Sequence, residues 1–306
     1  MLHLAITLDQ NLYIQLFALL SSIIHNKKDT TQITIHCIAT GLSETQISTI
    51  TKYLAINKIA IKYYEINSEL TSKFYIHNTK SFTMAAYYRL FFPQLINQNI
   101  NRLLYIDIDT LVLKDLTDLY TTNLDDFVLG AVYDNYVKTQ PLIGITKEGQ
   151  YFNSGVLLID CNKWRTEDIT QKCIDYLLQN PKNIIYVDQC VLNAVIQNKY
   201  KKLDIYNNMM YSYLPTKSTK KEMKKLQSKI TILHFTLHKP WKMMCMNPFR
   251  KLYHFYLKKS PMKKENTIID FEYSKLMPYL KFRILELYLF SDLLQKILLK
   301  NEKNNN

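Results

Sequence analysis

The stretch Arg102-Leu103-Leu104-Tyr105-Ile106-Asp107-Ile108-Asp109-Thr110-Leu111-Val112-Leu113 sets two acids into an apolar run of strand type. Side chains alternate along an extended chain, so Asp107 and Asp109 are expected on one face and Ile108 on the other. A carboxylate pair in such surroundings is costly unless it meets a cation or hydrogen-bond donors. Two hard oxygen ligands this close at a strand end suit Mg²⁺ or Mn²⁺, which bind through one or two carboxylates plus substrate phosphates. The plainer alternative is two solvated aspartates in the turn after a strand.

The flanking sequence places this stretch in an alternating pattern. Leu2–Thr7 reads as a buried strand that ends at Asp9-Gln10-Asn11, and a helix pattern follows over Tyr13–His25. A second strand is expected over Ile33–Ala39, a capping box at Ser43-x-x-Gln46 opens the next helix, and a third strand covers Ile59–Ile66. Strands alternating with helices predict an α/β fold with a parallel, doubly wound sheet. Ligands of such sheets bind at the carboxyl ends of strands, where Asp9, Asn11, Asp107 and Asp109 all fall. Asp9 and Asn11 also suit simple turn and cap roles.

Further along, Ser81–Ile96 reads as helical, with Arg89 its one charge. A guanidinium there can pair with an acid or grip a phosphate or sugar. Phe127–Tyr133 reads as a strand and residues 135–150 as a loop. A polar Asn153-Ser154-Gly155 corner then leads into an apolar strand, and Trp164–Leu178 reads as a helix. Asp188-Gln189 opens a helix over Cys190–Gln197, Ser218–Lys229 reads as an exposed helix or loop, and Ile230–Phe235 is a strand. His234 at that strand end is either a metal ligand or a satisfied structural residue, and Lys239 is a candidate phosphate contact.

Charge divides the chain. Residues 1–216 hold 19 Lys and Arg against 19 Asp and Glu, whereas residues 217–306 hold 20 against 7, so the whole net charge of +13 lies at the C-terminal end. Near that end Phe290, Leu293, Leu294, Ile297 and Leu298 follow the spacing of one helix face. A basic amphipathic segment of this kind is expected to dock on anionic lipid. The 5 cysteines contain no C-x-x-C pair and predict reduced thiols in a cytosolic protein, without a disulfide framework or zinc site. No secretory signal and no run of 18 apolar residues is visible, so the expected location is cytoplasmic, peripheral on the inner face of the cytoplasmic membrane.

Taken in order, strand–Asp9-x-Asn11, Tyr88-Arg89-Leu90, Asp107-x-Asp109, Phe152-Asn153-Ser154-Gly155-Val156-Leu157-Leu158, Asp188-Gln189, and His234 through Lys239-Pro240-Trp241 resemble glycosyltransferase family 8. That family includes bacterial lipopolysaccharide glucosyl- and galactosyltransferases and relatives of glycogenin, and the resemblance covers about residues 2–265. It implies a GT-A-type, Rossmann-like, mostly parallel sheet flanked by helices. A catalytic domain is expected over residues 1–241, and the charge division marks residues 242–306 as a basic, aromatic, mainly helical region on the membrane or acceptor side. The implied activity is retaining transfer of glucose or galactose from a UDP-sugar, with Mn²⁺ or Mg²⁺, to a lipid-linked glycan such as lipopolysaccharide or lipooligosaccharide core. Nucleic acid is not an expected partner.

Carried over motif by motif, the resemblance makes Asp107, Asp109 and His234 the metal ligands. Asp9 and Asn11 would hold the uridine, and Thr7 and Ile108 join the donor-binding set. Arg89, Asn153 and Asp188 would contact the sugar, Gln189 would lie under the anomeric carbon, and Lys239 would meet the diphosphate. A diphosphate leaves only when its charge is neutralised, which a metal and Lys239 can do. An amide such as Gln189 is a poor nucleophile, which favours front-face substitution; double displacement would need Asp188 or Asp134 as a carboxylate nucleophile. Two departures stand out: Leu237 or His238 occupies the place of a usual glycine, and Cys190 replaces a usual acid after Asp-Gln. Two other readings compete. One is a haloacid-dehalogenase-type phosphatase with Asp107 as nucleophile, and the other is a basic nucleic-acid-binding protein.

Overall fold

The computed structural model describes residues 1–71, 74, 76, 83–215, 218–263 and 268–290. Among the described residues, ten strands form two sheets: β1 (Leu2–Asp9), β2 (Ile33–Thr40), β3 (Ile59–Tyr64), β4 (Arg102–Ile106), β5 (Thr110–Val112), β6 (Leu129–Tyr133), β7 (Phe152–Asp160), β8 (Lys201–Lys202), β9 (Met209–Met210) and β10 (Ile232–His234). The large sheet has the order β3-β2-β1-β4-β7-β6-β8, and a small sheet has the order β5-β10-β9. In the large sheet β1 is parallel to both β2 and β4, β2 to β3, and β6 to β8, and β7 alone among these described strands runs against its neighbours. The sheet is thus mostly parallel and flanked by helices, as expected from the alternating pattern.

Local chemistry sets the helices. Ser43 and Gln46 form the reciprocal capping box that starts the Glu44–Ile56 helix. The Tyr13–Asn26 helix buries Leu16, Phe17, Leu19, Leu20 and Ile23 in the core on one side of the large sheet. A second core on the other side is built on Tyr87, Phe92, Tyr105, Phe152 and Trp164. The Arg250–Lys258 helix joins the first core through Tyr253, Tyr256 and Leu257, and Asn26 Nδ2 donates to Tyr256 Oη at 2.8 Å.

Three expectations are corrected. Asp107 and Asp109 do not share a strand face: β4 ends at Ile106, the pair lies in a turn, and β5 leaves for the small sheet. The turn is closed by Thr110 Oγ1, which donates to the Asp107 carbonyl at 2.8 Å. The expected helix over 81–96 is a 3₁₀ helix, Met84–Phe91, followed by one α turn with Pro93 near its start. The expected Trp164–Leu178 helix is two helices, Cys161–Thr166 and Ile169–Gln179, broken where Asp168 takes a left-handed φ of 52°. Lys220–Gln227 forms a short helix with Met223 as its buried residue.

No described helix is long and apolar enough to cross a membrane. All 5 cysteines are free and buried. The amphipathic pattern expected beyond Phe290 lies outside the described residues.

Candidate active site

The site forms where the two sheets meet. Antiparallel pairing sets Ile106 of β4 opposite Val156 of β7, so Asp107 N–H donates to the Gly155 carbonyl at 2.8 Å. In the small sheet, β10 pairs antiparallel with β5 and sets His234 opposite Thr110. That register brings the imidazole beside Asp109, which precedes Thr110. β9 runs parallel on the other side of β10, with Met210 opposite His234, and so delivers Asn208.

One ligand atom from each of Asp107, Asp109 and His234 lies within 4.8 Å of the others. His234 Nε2 stands 3.2 Å from Asp109 Oδ1 and 3.9 Å from Asp107 Oδ2. Gly155 keeps this space open. A Cβ there would lie 2.3 Å from His234 Cε1 and 2.6 Å from Asp107 Oδ2, so the glycine is required by close approach. Two carboxylates and one imidazole around an open space fit a divalent cation of the Mn²⁺ or Mg²⁺ class. Asp109 also pairs with Lys239. Burial alone would raise the Asp109 carboxyl; Lys239 and His234 outweigh it and hold the group well below the usual carboxylate range.

Arg89 is the electrostatic pivot of the inner wall. Its Nη2 lies 3.0 Å from Asp107 Oδ1 and its Nε lies 3.0 Å from Asp188 Oδ2. Nη1 donates to the Ser154 carbonyl at 2.6 Å, and Nε–H is turned to the Ala86 carbonyl at 3.0 Å. Asp188 Oδ2 therefore accepts no hydrogen bond although a positive charge sits beside it. Burial pushes the Asp188 carboxyl up to about 6, against the opposing pull of Arg89. The guanidinium also lies over the Tyr105 ring, 4.4 Å from its centroid. Tyr105 Oη donates to Asp107 Oδ1 at 2.8 Å and meets Thr7 Oγ1 at 2.9 Å.

Beside Ser154 and Asp188 runs a chain of amides. Gln189 Oε1 accepts from Asn153 Nδ2 at 2.9 Å and from the Ser154 backbone N–H at 3.1 Å, while Gln189 Nε2 donates to Asp134 Oδ2 at 3.2 Å. Between β6 and β7 the register jumps, from Ala131 opposite Leu157 to Tyr133 opposite Phe152. The irregularity falls at Asn153, Ser154 and Gly155, and frees their polar groups for the cleft. Gln189 sits in the Val187–Ile196 helix, which Asn193 ties to Phe152 by bonds at 2.9 and 2.8 Å. Val187 just before Asp188 has a φ of +34°, a strained value for a β-branched residue.

A cleft of about 430 Å³ collects these groups. Of the residues singled out in the sequence, Thr7, Asp9, Arg89, Asp107, Ile108, Asp109, Asp134, Asn153, Asp188, Gln189, His234 and Lys239 all line it. Asn11 does not line it: its backbone N–H donates to Asp9 Oδ1 at 2.8 Å, the capping role. The other Asp9 oxygen accepts from Thr83 Oγ1 at 3.0 Å. Leu237 lines the cleft mouth, and His238 packs edge-on to Tyr211, with centroids 4.5 Å apart. Sequence reasoning missed Asn208 and Asn193, which lie deep behind the cleft and carry no motif signal of their own.

Comparison with known proteins agrees with this geometry. The profile described as Glycosyl transferase family 8 matches residues 3–245. General stress protein A of Bacillus subtilis is 27% identical over 269 residues, which cover 84% of this chain and 93% of that protein. The lipopolysaccharide 1,2-glucosyltransferase of Escherichia coli K12 is 27% identical over 284 residues, covering 89% of this chain and 83% of that one. The structure of galactosyltransferase LgtC in complex with donor and acceptor sugar analogs superposes with a TM-score of 0.74 at 26% identity, over 86% of this chain and 98% of the other. The match decides between the glycosyltransferase and phosphatase readings of the Asp107–Asp109 stretch. By the extent of the profile match and the fold that accompanies it, this chain belongs to glycosyl transferase family 8 and is a retaining hexosyltransferase.

Proposed function

We propose that the chain moves glucose or galactose from a UDP-sugar to a lipid-linked glycan acceptor of the lipopolysaccharide or lipooligosaccharide core type, with Mn²⁺ or Mg²⁺. The observation that carries the reading is the convergence of Asp107, Asp109 and His234 on a space that Gly155 leaves clear. These three residues would hold the cation. Bound there, it supplies Lewis-acid neutralisation of the leaving diphosphate. The names of two relatives, a lipopolysaccharide glucosyltransferase and a galactosyltransferase, support a hexose donor and a glycan acceptor.

In this reading Lys239 adds a second positive charge on the diphosphate side, and Thr7, Asp9 and Ile108 hold the nucleoside. Arg89, Asn153 and Asp188 orient the sugar. Gln189 faces the anomeric carbon, but its carbonyl oxygen already accepts two hydrogen bonds. That engagement leaves little lone-pair density for attack and favours front-face departure and entry over a covalent sugar on Gln189. Asp188 lines the cleft but is paired with Arg89.

The catalytic part spans residues 1–241 and the acceptor-facing part 242–306, tied to the core through Tyr253 and Tyr256. Tyr273, Met277, Leu280 and Ile284 are all exposed at i, i+4, i+7 and i+11 along one helix. An apolar stripe of this spacing in the basic part of the chain supports peripheral docking on anionic lipid at the inner face of the cytoplasmic membrane.

The test is sugar transfer and donor hydrolysis across a panel of UDP-sugars with Mn²⁺, Mg²⁺ or EDTA. Turnover of UDP-glucose or UDP-galactose that needs the cation, and that is lost in Asp109→Ala, is expected. Full activity in EDTA, or in Asp109→Ala, overturns the metal-dependent reading.

A further inference from the structure

We propose that Asn208 is the positioning residue that fixes which nitrogen of His234 is free, and that the Gly155 backbone dictates this choice through two side-chain amides. The inference rests on the metal-site reading of Asp107, Asp109 and His234.

Asn208 is fully buried and does not line the cleft. Its Oδ1 lies 2.9 Å from His234 Nδ1, and its Nδ2 lies 2.9 Å from Asn153 Oδ1. Asn153 Oδ1 also accepts from the Gly155 backbone N–H at 3.0 Å. An asparagine side chain can be turned end for end, but a backbone N–H can only donate. The argument therefore starts at Gly155. Asn153 must present its oxygen to Gly155, so Asn208 must present its NH₂ to Asn153. Asn208 must then present its oxygen to His234, and His234 must donate from Nδ1. The lone pair is left on Nε2, the nitrogen that faces Asp109 and Asp107.

The other end of the chain agrees. Asn153 Nδ2, so oriented, donates to Gln189 Oε1 and to Asp134 Oδ2, and both accept. Gln189 is fixed independently, because the Ser154 backbone N–H donates to its Oε1. Every donor along His234–Asn208–Asn153–Gln189–Asp134 points the same way and ends on a carboxylate. The opposite arrangement has one attraction, since Asp109 Oδ1 at 3.2 Å would welcome a proton on Nε2. It would, however, turn the Asn208 oxygen onto Asn153 Oδ1, two buried acceptors face to face; turning Asn153 as well would set its NH₂ against the Gly155 N–H. The amide chain thus prepares the imidazole as a cation ligand, a role that the hydrogen bond on the far nitrogen commonly sets. It also links the cation-binding side of the cleft to Asn153 and Gln189 on the sugar side.

The experiment measures Mn²⁺ binding to the nucleotide-free protein by calorimetry, for wild type, Asn208→Ala and Asn208→Asp. Asn208→Ala removes the acceptor for Nδ1–H and is expected to weaken Mn²⁺ by about 10–100-fold. Asn208→Asp keeps that acceptor but faces Asn153 with a second oxygen. It is expected to hold Mn²⁺ within about threefold of wild type while kcat/KM for the UDP-sugar falls by at least about tenfold. Equal Mn²⁺ affinity in Asn208→Ala and wild type, or equal losses in both variants, overturns the proposal. A wild-type protein that binds no Mn²⁺ overturns the metal reading instead. For variants that fail to fold, ¹⁵N NMR of the wild-type ring, assigned by its loss in His234→Ala, decides the matter. With the ring neutral, the proton is expected on Nδ1, and a proton on Nε2 overturns the inference.

Discussion

Gly155 and His234 share a space that only one of them can fill: a Cβ on the glycine would stand 2.3 Å from the imidazole Cε1. The two residues lie on different sheets, and their contact is what leaves room between Asp107, Asp109 and His234. Gly155→Ala is therefore expected to push the ring and the Asp107 carboxylate aside. Mn²⁺ binding should fall by at least about tenfold, with transfer lost alongside it. Far-ultraviolet circular dichroism should remain that of wild type, since the neighbours that must shift are side chains. An alanine variant that binds Mn²⁺ as tightly as wild type would remove Gly155 from the site.

Much of this site was legible in the sequence because it hangs on the ends of strands and of one helix. Asp107, Asn153, Asp188, Gln189 and His234 each stand at the edge of an apolar element, and runs of apolar residues locate such edges well. What alternation could not foresee is that β4 and β5 belong to different sheets. Asp107 and Asp109 therefore sit in a turn, and their proximity to His234 comes from the β5–β10 register. Asn208 was illegible for another reason. It precedes a strand of two residues, too short to leave a pattern, and its partners His234 and Asn153 are 26 and 55 positions away. Arg89 stands out in the sequence as a lone charge, but its double engagement of Asp107 and Asp188 is a property of the fold.

That double engagement makes Arg89 a stability residue as well as a candidate sugar contact. Burial alone would lower its pKa, but Asp107 and then Asp188 reverse this and hold it charged. Arg89→Met leaves the buried Asp188 without its counter-charge. A cost of about 3–5 kcal/mol is expected in urea unfolding, as for removal of one partner of a buried ion pair. Asp188→Asn in the same chain should return part of that cost. A double-mutant cycle with coupling near zero would show that the two side chains are energetically independent.

Acid should destabilise the protein through a histidine that does not line the cleft. His36 is buried on β2 between His3, 3.0 Å from its Nε2, and Tyr64 Oη, 2.8 Å from its Nδ1. Burial, with His3 and Lys62 adding to it, lowers its pKa to about 4. The unfolded chain binds this proton near pH 6.5, whereas the folded chain resists it until about pH 4. The unfolded state is thus the more protonated one in that window, so this residue makes stability rise with pH from about 4 to 6.5 and adds nothing above it. Unfolding free energies of wild type and His36→Gln, measured across this range, should differ in slope by up to one proton. Parallel curves would mean that His36 ionises in the folded protein as it does in the unfolded chain.

The last expectation concerns the exposed stripe Tyr273, Met277, Leu280 and Ile284, flanked by exposed Ile269 and Phe271. The far side of the same helix is anchored: Glu286 is buried and pairs with Arg250 and Arg283. Substituting the stripe should therefore leave the fold alone, whereas cutting the chain before Glu286 would strand Arg250. Ile268 N–H donates to the Trp241 carbonyl at 2.9 Å, which ties the chain just before the stripe to the Lys239–Trp241 turn. The variant Met277→Ser/Leu280→Ser/Ile284→Ser is expected to lose most of its binding to vesicles containing phosphatidylglycerol. Hydrolysis of the UDP-sugar in solution should stay near wild type, because none of the three residues lines the cleft. Added salt should weaken wild-type binding as well, since each basic residue near such a surface contributes about 1 kcal/mol that salt screens. Vesicle binding that survives the triple substitution, or a smaller oligomeric mass on making it, would assign the stripe to packing against protein rather than lipid.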